Sequence, residues 1–105
     1  MVPRMTITEP SSLKESSLQW KVKFLETAEK QFEKLDKETC RTINRYIVER
    51  LVTSEDPRRF GKPLSGNLKE FWRYRIGDYR IICSIQDEHF LILVVRVAHR
   101  SEIYD

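Results

Sequence analysis

From Trp20 the chain alternates: Trp20, Val22 and Phe24 are apolar and Lys21 and Lys23 are charged, which predicts a strand with one buried face over residues 19–25. Thr27 then suits a helix N-cap, with Glu29 in the first turn and Ala28, Phe32 and Leu35 spaced for one buried face. Asp36 can cap a second, longer helix, whose apolar residues Cys40, Ile43, Ile47 and Leu51 recur every three or four positions up to about Thr53. The stretch from Ser54 to Gly66 contains Pro57, Gly61, Pro63 and Gly66 and reads as a loop.

Three apolar runs follow: Lys69 to Ile76, Tyr79 to Gln86 and Phe90 to Ala98. Gly77 and Asp78 make a tight turn between the first two, and Asp87 to His89 a second, so the runs form an antiparallel meander. The last run is almost unbroken in Leu, Ile and Val, which predicts a central strand covered on both faces. The expected fold is α+β in the order βααβββ, two helices packed on one face of a small, mainly antiparallel four-stranded sheet. Residues 1–18, with Pro3, Pro10 and four serines between Ser11 and Ser17, carry neither period and read as a flexible extension ahead of a domain over 19–105.

Length and composition narrow the function. A chain of 105 residues fits one small domain, and no run approaches the length of a membrane span or of a signal-peptide core, so the cytoplasm is the expected compartment. Two cysteines are too few for a disulfide framework, and with two histidines and no CxxC or HExxH spacing no metal site or cofactor is expected.

Charge is uneven. Residues 1–57 balance 10 basic side chains with 10 acidic ones, whereas residues 58–80 hold seven basic (Arg58, Arg59, Lys62, Lys69, Arg73, Arg75, Arg80) against Glu70 and Asp78. Such a density suits a polyanion, or else a solvated basic surface. The strand period sharpens the choice: Trp72, Tyr74 and Ile76 share one face and Arg73 and Arg75 the other, while Arg80 turns outward from a set of Tyr79, Ile81, Cys83 and Ile85. Three arginines on the helix-free face of one hairpin repel each other unless an anion sits between them or Glu70, Asp78 and Glu102 neutralise them. His99, Arg100 and Tyr104 then fall at the rim of the same sheet. RNA cleavage without metal needs a base, cations for the phosphorane and an acid for the leaving oxygen, roles which these side chains and Arg80 can fill.

The run Lys62, Leu64, Gly66, Trp72, Arg73, Tyr74, Arg75, Gly77, Tyr79 and Arg80, closed by Val97 to Tyr104 (VAHRSEIY), resembles the RelE/ParE superfamily of toxin–antitoxin systems. The resemblance implies a compact toxin that enters the ribosomal A site, cuts mRNA there and is held inactive by a cognate antitoxin. It assigns Arg73 and Arg75 to mRNA phosphates, Arg80 to the scissile phosphate, Tyr104 to the attacking hydroxyl, and His99 or Arg100 to the segment that supplies the acid. Lys62, Lys69, Arg58 and Arg59 extend the phosphate-binding set, and the basic groove between Arg58 and Arg80 is expected to attract an acidic or amphipathic antitoxin segment. Arg cannot exchange protons as Lys can, which leaves His99 as the favoured acid or base. The alternative within the superfamily is a ParE-like inhibitor of DNA gyrase, which needs no nuclease site.

Overall fold

The computed structural model describes residues 20–65 and 70–103; the expected extension 1–18, Lys69 and Tyr104 lie outside the described residues. In chain order it has β1 (Lys21–Phe24), α1 (Glu26–Glu33), α2 (Lys37–Tyr46), a π-helical segment (Ile47–Val52), a 3₁₀ turn (Pro57–Phe60), β2 (Lys62–Pro63), β3 (Phe71–Ile76), β4 (Tyr79–Gln86), a 3₁₀ turn (Asp87–His89), β5 (Leu91–His99) and a last 3₁₀ turn (Arg100–Glu102). The sheet is ordered β1-β5-β4-β3-β2, with β1 parallel to β5 and the other pairs antiparallel.

The α+β class and the helices on one face agree with the sequence, but the sheet has five strands rather than four. The extra one, β2, lies inside the expected loop. It is too short to show a period, and tertiary contact places it: Lys62 pairs with Arg73, Pro63 with Trp72, and the Leu64 N–H donates to the Phe71 carbonyl (3.0 Å). Proline suits this edge position because no ladder bond is asked of its nitrogen. The last run is an interior strand as expected, β5 lying between β4 and β1, but it is not covered on both faces: Leu91, Leu93 and Val95 on its outer side are only half-buried.

Helix α1 begins at Glu26, one residue before the expected Thr27 cap, with Leu25 as N-cap. The Leu25 N–H donates to the Val94 carbonyl (2.9 Å), so β5 fixes this start rather than a capping side chain. Helix α2 is capped as expected, Asp36 accepting from the Thr39 N–H (3.2 Å). Its apolar stripe continues through Ile47 and Leu51, and the wider π turn lets adjacent Leu51 and Val52 both reach the core. The Val52 carbonyl then accepts from the Trp20 N–H (3.0 Å), tying the segment to the start of β1.

The helices cover one sheet face through a core that includes Phe24, Ile43, Ile47, Leu51, Tyr74, Ile81, Ile92 and Val94, all at 0% exposure. Trp72 and Tyr79 pack against the same cluster, so the aromatic side of the hairpin does meet the helices. Cys40 and Cys83 are free thiols, and burial pushes the Cys83 thiol well above its ordinary pKa. None of the described helices is long and apolar enough to cross a membrane.

Candidate functional site

The helix-free face is organised by the hairpin β3–β4. Gly77 has φ +59° and Asp78 does not share the positive angle, the pattern of a type II′ turn with glycine first. This two-residue turn sets Ile76 opposite Tyr79 and Arg75 opposite Arg80, with Arg73 opposite Ile82. Lys62 of β2 lies opposite Arg73 on the other side. Lys62, Arg73, Arg75 and Arg80 accordingly line one pocket of about 200 Å³ together with Phe60 and Gly61. Arg80 is held by two carbonyls, Nη1 donating to Gly77 (3.0 Å) and Tyr79 (2.9 Å). Among the described residues no carboxylate forms an ion pair with Arg75 or Arg80. Backbone carbonyls orient the Arg80 guanidinium without cancelling its charge.

The wall of this pocket is fixed from behind. Tyr74, buried in the core, donates its hydroxyl to the Pro57 carbonyl (3.0 Å), and the Tyr46 hydroxyl reaches the Phe60 carbonyl (3.5 Å). Burial pushes both phenols above their ordinary pKa, so they stay neutral donors. Gly61 sits so close that a Cβ there would lie 2.8 Å from Tyr74 Cε1 and 3.0 Å from the Arg73 carbonyl oxygen. Only glycine lets the Pro57–Phe60 turn press against β3 in this way.

Arg58 departs from the expected phosphate-binding set. It makes a bidentate pair with Asp87 (2.6 and 3.1 Å) and a further contact with Asp56 (3.2 Å), tying the 3₁₀ turn to the β4–β5 connection. Asp87 follows β4 at the end away from Gly77, about 20 Å from Arg80 at the usual rise per residue. The hydrogen bonds from Arg58 hold the Asp87 carboxyl below its ordinary pKa. Arg59 is exposed beside the pocket, its guanidinium over the Phe60 ring (5.3 Å to the centroid).

His99 and Arg100 do not join the arginine cluster directly. Opposite the Ile82/Cys83 step β5 carries a bulge: Ile82 pairs with Arg96 and Cys83 with Val94, leaving Val95 as the extra residue. Beyond it the alternation of β5 is inverted, which puts Arg96 and Ala98 on the arginine side and Val97 and His99 on the helix side. His99 is paired with Tyr79, ring centroids 5.4 Å apart, in a separate cavity of about 440 Å³ shared with Gln31, Ser101 and Glu102. Its Nδ1 accepts from the Ser101 N–H (3.1 Å) while Glu102 Oε1 accepts from the His99 N–H (3.2 Å). Nδ1 is thus engaged within the last 3₁₀ turn, which leaves Nε2 as the ring nitrogen with no hydrogen bond among the described residues. Arg100 lies at the hairpin turn, its N–H donating to the Asp78 carbonyl (2.7 Å) and its Nε 3.8 Å from an Asp78 carboxylate oxygen. Among the described residues no group of three His, Cys, Asp or Glu side chains converges as a metal site would require. Sequence reasoning did not single out Phe60 or Arg96, although an aromatic residue directly after Arg58 and Arg59 is a visible signal.

Comparison with known proteins bears on the family and the fold. A family model described as the ParE toxin of the type II toxin–antitoxin system, parDE, matches residues 22–104. Toxin RelG of Mycobacterium tuberculosis is 35% identical over 83 residues, covering 79% of this chain and 93% of that protein. Toxin RelE of the same organism is 30% identical over 78 residues, covering 74% of this chain and 78% of its own. The toxin–antitoxin complex RelBE2, also from Mycobacterium tuberculosis, contains a chain of similar structure, with TM-score 0.72, 30% identity, and 82% of this chain and 97% of that one covered.

Proposed function

Since the chain belongs to the ParE toxin family of type II toxin–antitoxin systems, we propose that it is a RelE-type toxin that cleaves mRNA in the ribosomal A site. The observation that carries this reading is the pocket shared by Lys62, Arg73, Arg75 and Arg80, in which Arg75 and Arg80 have no ion-pair partner among the described residues. Arg75 and Arg80, held side by side without an ion-pair partner among the described residues, are prepared for an anion, and a phosphodiester approaching a pentavalent phosphorane gains the most from them.

On this reading the ribose 2′-hydroxyl attacks the adjacent phosphorus. The O2′–P bond forms and the P–O5′ bond breaks, one proton leaves the 2′-hydroxyl and another reaches O5′, and the products are a 2′,3′-cyclic phosphate and a free 5′-hydroxyl. Arg80 neutralises the scissile phosphate. Arg73, Arg75, Lys62, Lys69 and Arg59 hold its neighbours, and Arg58, tied to Asp87, stands outside this set. Guanidinium groups stay protonated, so proton transfer falls to His99 Nε2 and Tyr104, with Arg100 adding charge at the turn. Because His99 and Arg80 sit on opposite faces, the RNA must cross the Gly77 end of the sheet to meet both. The same basic face would receive an acidic segment of a cognate antitoxin, which inhibits by competition for the phosphate site. The toxin–antitoxin complex RelBE2, whose toxin-like chain this one resembles, supports that partner.

A second reading, a gyrase inhibitor with no nuclease site, is favoured by one observation: His99 is engaged in a cap on the face away from Arg80. Mapping of mRNA 5′ ends after induction separates the two. The nuclease gives codon-phased cuts, and Arg80→Ala lowers their rate by about 100- to 1,000-fold. DNA breaks with an SOS response and intact mRNA would establish the gyrase reading instead.

A further inference from the structure

Phe60 is one of two large apolar residues exposed among the described residues, at 36%, and the only one of the two that lines the arginine pocket. Its ring lies outside the buried core cluster and beside the four cations of that pocket. Its position is nonetheless built. The Pro57–Phe60 turn is held by tyrosine hydroxyls at the Pro57 and Phe60 carbonyls, and Gly61 locks it against Tyr74. Two exposed guanidiniums, Arg59 and Arg50, lie over the ring at 5.3 and 5.7 Å from its centroid. Exposed arginines on one ring repel each other, and each can swing from the ring to a phosphate at little cost.

We infer that Phe60 is a stacking platform for a nucleobase whose own phosphate is held by Arg73, Arg75, Arg80 and Lys62, so that this pocket takes a whole nucleotide of a single strand. The inference rests on the phosphate-binding reading of the pocket given above and adds the base to it. Single-stranded nucleic acid is gripped in general by an aromatic face beside a cationic track, and this pairing occurs here within one pocket. Stacking is tolerant of base identity, so Phe60 contributes grip and placement of the phosphate, with at most a modest preference for purines, whose larger faces stack better.

The test uses the full chain and two probes: a tetranucleotide RNA with every 2′-hydroxyl methylated, which cannot be cut, and its abasic counterpart with the same phosphates. Phe60→Leu keeps an apolar side chain and removes the π face, Phe60→Trp enlarges it and supplies a fluorophore, and Arg80→Ala reports on the phosphate site. At low salt, Phe60→Leu should bind the base-bearing probe about 5- to 100-fold more weakly than wild type while binding the abasic probe unchanged. The indole of Phe60→Trp should be quenched by the base-bearing probe alone, and Arg80→Ala should lose affinity for both probes. Equal affinity of wild type and Phe60→Leu for the base-bearing probe overturns the platform and leaves the phosphate site standing. Parallel weakening toward both probes also overturns it, since Phe60 would then only shape the phosphate pocket. If wild type binds neither probe, the phosphate reading fails and the platform falls with it.

Discussion

Replacing Arg75 with Gln should make the protein more stable and less toxic. Arg75 is exposed, directly opposite Arg80 in the hairpin, and without an ion pair among the described residues, so the substitution removes repulsion and breaks no bridge. Side chains directly opposite on antiparallel strands have Cβ atoms about 5 Å apart, and like charges there destabilise by about 0.2–1 kcal/mol. Coulomb's law gives a consistent figure, about 0.7 kcal/mol for unit charges about 6 Å apart in a water-like dielectric. Allowing for some packing lost along the arginine stem, the net gain is about 0.5 kcal/mol, which for a domain of this size raises the melting temperature by about 2–4 °C. Urea and thermal melts of both proteins in 20 mM and 1 M NaCl measure it. The gain should be present at low salt and vanish at about 1 M, where the Debye length shrinks to about 3 Å. Growth inhibition should fall at the same time. A variant less stable than wild type at low salt, or a gain that persists in 1 M salt, would mean that Arg75 is internally neutralised, and the prepared anion site would be lost as an explanation.

Other substitutions probe how the pocket is held. Gly61→Ala places a methyl 2.8 Å from the Tyr74 ring and should cost about 1–3 kcal/mol in chemical denaturation. Gly77→Ala meets nothing within 4 Å, so its loss, about 1–2 kcal/mol, reports the φ of +59° alone. The Arg58–Asp87 pair gives a pH dependence: the folded-state pKa of Asp87 is depressed below its ordinary value of 3.8, so its stabilisation is present above that value and lost as the pH falls through the lower folded one. The stability difference between wild type and Asp87→Asn should therefore be constant above about pH 5 and shrink steadily in more acid solution, as followed by urea midpoints.

Local rules were enough to read the hairpin. Tight alternation in Trp72 to Ile76, one turn glycine, and the apolar set from Tyr79 to Ile85 fixed register and face together, because a slip of one residue would bury Arg73 and Arg75. The Asp36 cap was legible for a similar reason, its acceptor lying only three residues from its donor. What escaped depends on contacts far along the chain. Strand β2 exists because Gly61 nests against Tyr74, 13 positions away, and Arg58 is diverted from the basic set by Asp87, 29 positions away. Neither neighbour is marked in the local pattern.

The bulge at Val95 is the most consequential of these, and its cause can be traced to one residue. Strict alternation from Ile92 and Val94 would carry Arg96 into the core beside the helices. An unpaired guanidinium there would be far more costly than one irregular ladder rung, so an extra residue before position 96 is the cheaper arrangement. Val94 and Val95 are both β-branched and either fits a strand interior, which hides the irregularity in an apparently continuous apolar run. Once Arg96 turns outward, the same shift carries His99 to the side of Tyr79 and Gln31, away from Arg80. The outward turn of Arg96, whose Nη2 donates to the Glu102 carbonyl (3.2 Å) at the edge of the His99 cavity, and the separation of the histidine from Arg80 are thus one event, and on the nuclease reading that event divides the site between charge neutralisation on one face of the sheet and proton transfer at its rim.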